Sequence, residues 1–168
     1  MSDDSAVDPS RVSTAYHEAG HAVVALALGR PIHRVTIVPG KTHTGVASLG
    51  QCKIQKGRFR PSKDALEDEV LILYAGMAAE AQVTGEYSLG GARQDLRAIR
   101  GLVQTRAGGD RGVERLERRL LDKAEHLLSD QGNWQAVIWI AAELLAQQTI
   151  SGRAARHFFE LAHQQAHK

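Results

Sequence analysis

His17-Glu18-Ala19-Gly20-His21 is the stretch on which the interpretation of this sequence depends. On a helix, residues four apart lie on the same face, so His17 and His21 can direct both imidazoles at one metal ion. A hydrolytic zinc site takes three protein ligands and keeps one position open for water. Glu18 would then act as the general base in amide hydrolysis. The pattern predicts a zinc peptidase site; the alternative is a chance match on an amphipathic helix.

The flanking residues predict the helix that this pattern requires. Asp8 is a typical N-cap, and Pro9 suits the first helical position. Alanine-rich sequence continues without a breaker to Gly29, which is typical of a C-terminal cap. We therefore expect a helix over about residues 9–28.

The sequence after this helix changes to a strand pattern. Residues 32–38 are rich in β-branched side chains and are closed by Pro39-Gly40, and a second short run follows at 44–49. We expect these two runs to form a small strand pair.

The rest of the chain predicts helices separated by glycine-rich breaks. The first is capped by Ser62, runs to about Val83 and is ended by Gly85. Another covers about 92–106, and breaks at 130–133 and 149–152 divide the sequence beyond Gly112 into three more. The predicted fold class is mainly α (α+β), with the metal-binding helix near the N-terminus, a small β-hairpin or edge strand and a C-terminal helical bundle.

Length and composition favour one domain with a real core. The chain has 168 residues, of which 43% are apolar. We expect residues 1–8 to be flexible, about 9–106 to form the catalytic part and about 112–167 to form a helical C-terminal part.

The bulk properties also exclude several partners. A net charge of +2 gives no basic footprint for nucleic acid, and the apolar stretches are too short to span a membrane. Gly40-Lys41-Thr42 imitates the end of a phosphate-binding loop, but Val35 stands where that loop needs glycine, so no nucleotide is expected. A single cysteine, Cys52, and an acidic start without a secretion signal favour the cytoplasm.

The third metal ligand must come from a distant residue. A closely following third histidine is excluded, because Val24 and Ala27 stand where the extended motif has its glycine and histidine. The best candidate is Asp95, in the first turn of a predicted helix and next to the glycine-rich loop at Gly90-Gly91. The alternative is a helix-start aspartate that only interacts with the helix dipole.

The sequence resembles the peptidase domain of the FtsH-type ATP-dependent zinc metalloproteases. The resemblance covers roughly residues 12–161. It is carried by segments 15–24, 32–39, 45–46, 74–80, 91–96 and 144–152.

The resemblance implies a zinc centre with assigned roles. His17, His21 and Asp95 would ligate one Zn²⁺ per chain, and Glu18 would be the catalytic base. Glu80 would orient a ligand histidine, as a zinc centre requires; its alternative is a place on the solvated face of its helix. The resemblance also implies that the edge strand borders the substrate cleft, with Val35, Thr36, Ile37 and Val38 as its site residues.

Three functions remain open at this point. Family members carry a membrane segment and an ATPase ahead of the peptidase, and we expect neither here. The chain could be a stand-alone zinc endopeptidase for unfolded or extended polypeptides. It could instead be a proteolytic subunit acting in trans with a separate ATPase or membrane partner, or as a homo-oligomer, or it could hold zinc without turnover. His163 and His167, which share helical spacing, are expected to be solvated.

Overall fold

The computed structural model describes residues 7–41, 47–55 and 62–168. The described part confirms a mainly helical fold with a small sheet. Most of the segment predicted to be flexible, residues 1–6, lies outside the described residues, as do 44–46 of the second predicted strand. In the described part, no helix is long and apolar enough to cross a membrane. The elements are α1 (Pro9–Ala27), β1 (Ile32–Thr36), β2 (Gly40–Lys41), β3 (Ala47–Ser48), β4 (Gln51–Ile54), α2 (Ala65–Thr84), α3 (Arg93–Gln104), α4 (Gly109–Ser129), α5 (Gln131–Gln147), β5 (Thr149–Ser151) and α6 (Gly152–Ala166).

Side-chain caps fix the starts of the first two helices. Asp8 accepts the backbone N–H of Ser10, so the predicted cap of α1 is confirmed. The predicted cap of α2 is wrong by two residues: Asp64, not Ser62, accepts the N–H of Glu67. The Ser62 hydroxyl instead accepts the N–H of Asp64 at 3.2 Å, which places it outside the helix. Aspartate and serine cap equally well, so the sequence could not separate them.

Small residues allow α1 and α2 to pack closely. A Cβ added to Gly20 would lie 2.4 Å from the carbonyl oxygen of Ala75 and 2.7 Å from the Cβ of Ala79. Ala15, Ala19 and these two alanines are buried in the same core. The glycine between the two histidines therefore sets how deeply α1 sits against α2.

The three-stranded sheet has the order β4-β1-β5, with both pairings antiparallel. Val35 in β1 lies opposite Cys52 on one side and Ile150 on the other. The expectation that β1 is an edge strand is therefore wrong. Its predicted partner is also wrong, because Ala47–Ser48 pairs with Gly40–Lys41 in a separate ribbon.

The C-terminal part contains the three predicted helices, α4, α5 and α6. The expected solvation is wrong for His163, which is half-buried and donates from Nε2 to Oδ1 of buried Asn133 at 2.9 Å. Asn133 in turn donates to the carbonyl oxygen of Leu127 at 2.8 Å. This chain of bonds ties α6 to the junction of α4 and α5. His167 is exposed, as expected.

Candidate metal centre

Two buried histidines of α1 converge on one carboxylate of α3. Oδ2 of Asp95 lies 2.9 Å from Nε2 of His17 and 3.2 Å from Nε2 of His21. The histidine rings are perpendicular, with centroids 4.7 Å apart. The helical spacing and the distant carboxylate predicted from the sequence thus meet at one point in the structure.

The other ring nitrogen of each histidine has its own partner on α2. Nδ1 of His17 lies 3.1 Å from Oε2 of Glu80, and Nδ1 of His21 lies 2.7 Å from the carbonyl oxygen of Ile72. Both partners are acceptors, so each Nδ1 carries a proton and Nε2 is the nitrogen that faces the centre. Glu80 is only 8% exposed, so the alternative of a solvated Glu80 is wrong. The Ile72 carbonyl gives no side-chain signal in the sequence.

A glycine of α2 makes room for both imidazoles. A Cβ added to Gly76 would lie 2.5 Å from Cε1 of His21 and 2.7 Å from Nε2 of His17. Real side chains do not tolerate such contacts, so only glycine fits here without moving the ligands. No role was predicted for this residue, although a glycine inside an otherwise apolar helix is a signal of close packing.

Asp95 lies in the first turn of α3, but its carboxylate faces the histidines. The N-cap of α3 is Ala92, which makes no side-chain capping bond. Gly91 and Ala92 bring the chain into this turn through bonds to Ser88. Asp95 therefore occupies a favourable position at the start of a helix and also contacts both histidines.

Two carboxylates lie within ion-pair distance of the histidines. Burial alone would lower the pKa of His17, but hydrogen bonds with Asp95 and Glu80 outweigh it and raise that pKa to about 10. Burial likewise opposes the charged form of Asp95, yet the charge of His21 and the bonds to both histidines hold its pKa well below the usual range. The carboxylates therefore favour a positive charge at the point where Asp95 and the two Nε2 atoms meet.

The donor set fits a divalent transition metal. One ligand atom from each of His17, His21 and Asp95 lies within 4.8 Å of the others. Zinc bonds of about 2.0–2.1 Å put tetrahedral ligand atoms roughly 3.3 Å apart, close to the observed distances of 2.9 and 3.2 Å. Two imidazoles and one carboxylate leave a fourth position, and Nδ1 partners of the kind seen here are typical of zinc centres.

Glu18 lies beside this cluster and against the sheet. Its side chain is 6% exposed, and burial raises the pKa of its carboxyl group. The backbone N–H of Cys52 in β4 faces this carboxylate and partly offsets the rise of its pKa. A Cβ added to Gly50 would lie 2.8 Å from Cγ of Glu18. Neither Cys52 nor Gly50 was predicted to contact Glu18.

The four predicted cleft residues are not equivalent. Val35 and Thr36 are buried and paired on both sides of β1. Ile37 is buried too, and its N–H donates to the carbonyl oxygen of Gln148. Only Val38 exposes its side chain, at 45%. The backbone of β4 lies beside Glu18.

The fold and the site define a class: a helical domain with a two-histidine, one-carboxylate metal centre and an adjacent buried glutamate. Residues 6–107 match the sequence profile of Peptidase family M41, and the chain belongs to that family.

The chain is similar to parts of much longer bacterial proteins. It is 39% identical to ATP-dependent zinc metalloprotease FtsH 1 of Symbiobacterium thermophilum over 153 residues, which cover 85% of this chain and 24% of that protein. It is 40% identical to ATP-dependent zinc metalloprotease FtsH of Magnetococcus marinus over 93 residues, 54% of this chain and 13% of the relative. It is 36% identical to ATP-dependent zinc metalloprotease FtsH of Methylococcus capsulatus over 103 residues, which cover 58% of this chain and 15% of that protein. The matches thus span less than a quarter of each of these relatives.

Proposed function

We propose that this chain is a zinc-dependent endopeptidase that cleaves unfolded or extended polypeptides. The observation that carries the proposal is the convergence of His17, His21 and Asp95 on one point with Glu18 buried beside it. Membership of Peptidase family M41 and the zinc metalloprotease names of the relatives support it.

Each residue of the cluster has a distinct task in this proposal. His17, His21 and Asp95 would hold the ion, while Glu80 and the Ile72 carbonyl fix the tautomers of the two histidines. A zinc ion held there would polarise the scissile carbonyl and lower the pKa of a water molecule to about 7. Glu18 would accept a proton from the attacking water and pass it to the leaving amine nitrogen.

The sheet supports an extended substrate. In the described part of the chain, β4 has a strand partner on one side only, and it contacts Glu18. An extended peptide that paired with the outer edge of β4 would reach the site through backbone hydrogen bonds. Stably folded proteins offer few such segments, so loops, termini and denatured chains are the expected substrates.

The test combines metal analysis with cleavage of denatured casein by the wild type and Glu18→Gln. We expect about one zinc ion per chain in both proteins and a loss of cleavage of at least roughly 100-fold in the variant. Cleavage by Glu18→Gln at the wild-type rate would overturn the role of Glu18. Zinc in both proteins without cleavage in either would support the non-catalytic alternative, and absence of zinc would overturn the ligand assignment.

A second candidate is proteolysis coupled to an ATPase. The relatives named above are ATP-dependent proteases, and this chain matches less than a quarter of each. Under this candidate, an ATPase, joined to the chain or separate, would deliver unfolded substrate to the same site. Cleavage of a stably folded protein that appears only when an ATPase partner and ATP are added would favour it.

A further inference from the structure

The backbone of the β4 region lies unusually close to the proposed base. A Cβ added to Gly50 would be 2.8 Å from Cγ of Glu18, 2.9 Å from its Oε1 and 2.9 Å from the carbonyl oxygen of Thr36. Real Cβ atoms essentially never approach other atoms within 3.0 Å. Any side chain at this position would therefore move Glu18 or push the backbone at Gly50 away from β1.

The backbone N–H of Cys52, two residues after Gly50, faces the same carboxylate and favours its charged form. Cys52 lies opposite Val35 in the pairing of β4 with β1. The Glu18 carboxylate thus has one backbone donor beside it and, at Gly50, a residue without a side chain in close contact.

We propose that Gly50 is a positioning residue, whose lack of a side chain lets the Cys52 N–H hold the Glu18 carboxylate in its working position. The proposal rests on the proposed function of Glu18 as the base. The contact fixes where the carboxylate stands relative to the metal ligands on α1. Misplacing a reacting group by about 1 Å can lower a rate roughly 100-fold, so this contact affects turnover rather than metal binding.

The test compares Gly50→Ala with Gly40→Ala. Gly40 lies in β2, the strand that follows β1, and a Cβ added there meets nothing within 4 Å. With zinc-loaded proteins and labelled denatured casein, we expect kcat to fall roughly 100-fold in Gly50→Ala with KM and zinc content unchanged. Gly40→Ala should match the wild type. Unchanged kcat in a folded Gly50→Ala would overturn the proposal.

A double variant separates positioning from a structural role. Added to Glu18→Gln, the Gly50→Ala change should cause no further loss of residual turnover, because the base is already absent. An equal loss in both backgrounds would mean that Gly50 acts through something other than Glu18, which would overturn the proposal.

Amide hydrogen exchange at Cys52 decides the contact without any assay of turnover. Loss of a hydrogen bond to a charged acceptor should speed exchange of this N–H roughly tenfold or more in Glu18→Ala and in Gly50→Ala. Glu18→Ala leaves Gly50 untouched, so the measurement stands even if Gly50→Ala does not fold. Unchanged exchange in Glu18→Ala would overturn the contact. If the wild type cleaves no substrate but exchange at Cys52 is faster in Glu18→Ala, the contact is supported although the proposed function fails.

Discussion

The two sides of the site are built from different parts of the fold. On the ligand side, three helices contribute side chains that contact one another: His17 and His21 from α1, Glu80 from α2 and Asp95 from α3. On the base side, Glu18 lies against the backbone of a short strand region. The proposed metal ligands are thus held by helix packing, and the proposed base lies against the sheet.

This difference separates metal binding from turnover. Changes on the ligand side alter the donor atoms or their orientation, so they should first change the affinity for metal. Changes on the base side leave the donor atoms in place, so they should change the rate or the stability of the sheet.

Asp95→Ala should remove the metal. The change leaves two histidines, which make an open and weak site. The loss of zinc affinity should exceed the roughly 100-fold that outer contacts of a metal site cost. Titration with zinc against a competing chelator measures it.

Asp110→Ala is the matched control for Asp95→Ala, because Asp110 is also a first-turn aspartate but lies exposed at the start of α4. It should bind zinc like the wild type. Equal, small effects of both changes would mean that Asp95 only interacts with its helix dipole and is not a ligand.

Glu80→Gln should weaken zinc binding without abolishing it. Glutamine can still accept the Nδ1 proton of His17 but lacks the negative charge, so the affinity should fall roughly 10- to 100-fold. The same chelator competition measures it, with Glu69→Gln, an exposed change on α2, as the control. Normal zinc affinity combined with slow turnover would mean that Glu80 affects turnover rather than metal binding. That result would contradict the separation of the ligand side from the base side.

The ligand side was largely predictable because its signals are local. Two histidines four residues apart on a capped helix predict one shared face, and an aspartate after a glycine-rich loop predicts a helix start. The spacing does not predict that Asp95 contacts His17, which lies 78 residues away in sequence. From the residues alone Asp95 was the best candidate for the third ligand, with a helix-dipole role as the alternative, because the pairing itself depends on how α1, α2 and α3 pack.

The base side escaped prediction because its determinants lie far apart or carry no side-chain signal. Residues Thr149–Ser151 read as a break between helices, yet they form β5 and pair with β1, more than 100 residues away. A strand of three residues has too little alternation to identify. Gly50 acts by lacking a side chain and Cys52 by its backbone N–H, so neither residue type indicates the role.

Thr36→Val and Thr149→Val test how the end of the chain completes the sheet. The two hydroxyls lie 2.7 Å apart and join β1 to β5. Each single change should lower the free energy of unfolding by about 1 kcal/mol. The double variant should lose less than the sum, because one hydrogen bond is shared. Chemical denaturation measures all four proteins, and zinc affinity should stay at the wild-type value. Strictly additive losses of stability would mean that the two hydroxyls do not share a hydrogen bond. A loss of zinc affinity would mean that this end of the sheet also affects the ligand side.

Asp64→Ser should have the smallest effect, because it removes an exposed ion pair while keeping a residue that caps helices well. Two hydrogen bonds from Arg106, just beyond α3, reach Asp64 at the start of α2, at 2.6 and 3.0 Å. The Arg106 side chain, together with the N–H of Glu67, lowers the pKa of Asp64 to about 2. A lowered pKa means that the stabilisation is complete above about pH 4 and is lost as the pH falls through about 2.

The Asp64→Ser variant should therefore melt only a few degrees below the wild type at pH 6, and this difference should shrink at pH 3. Thermal unfolding at both pH values measures it, with zinc affinity measured at pH 6. The affinity should not change, because α2 and α3 are held against α1 by buried contacts around Gly20, Gly76 and the histidines. A fall in zinc affinity would show instead that this exposed pair sets the position of Asp95, and the ligand side would then depend on the surface as well as on helix packing.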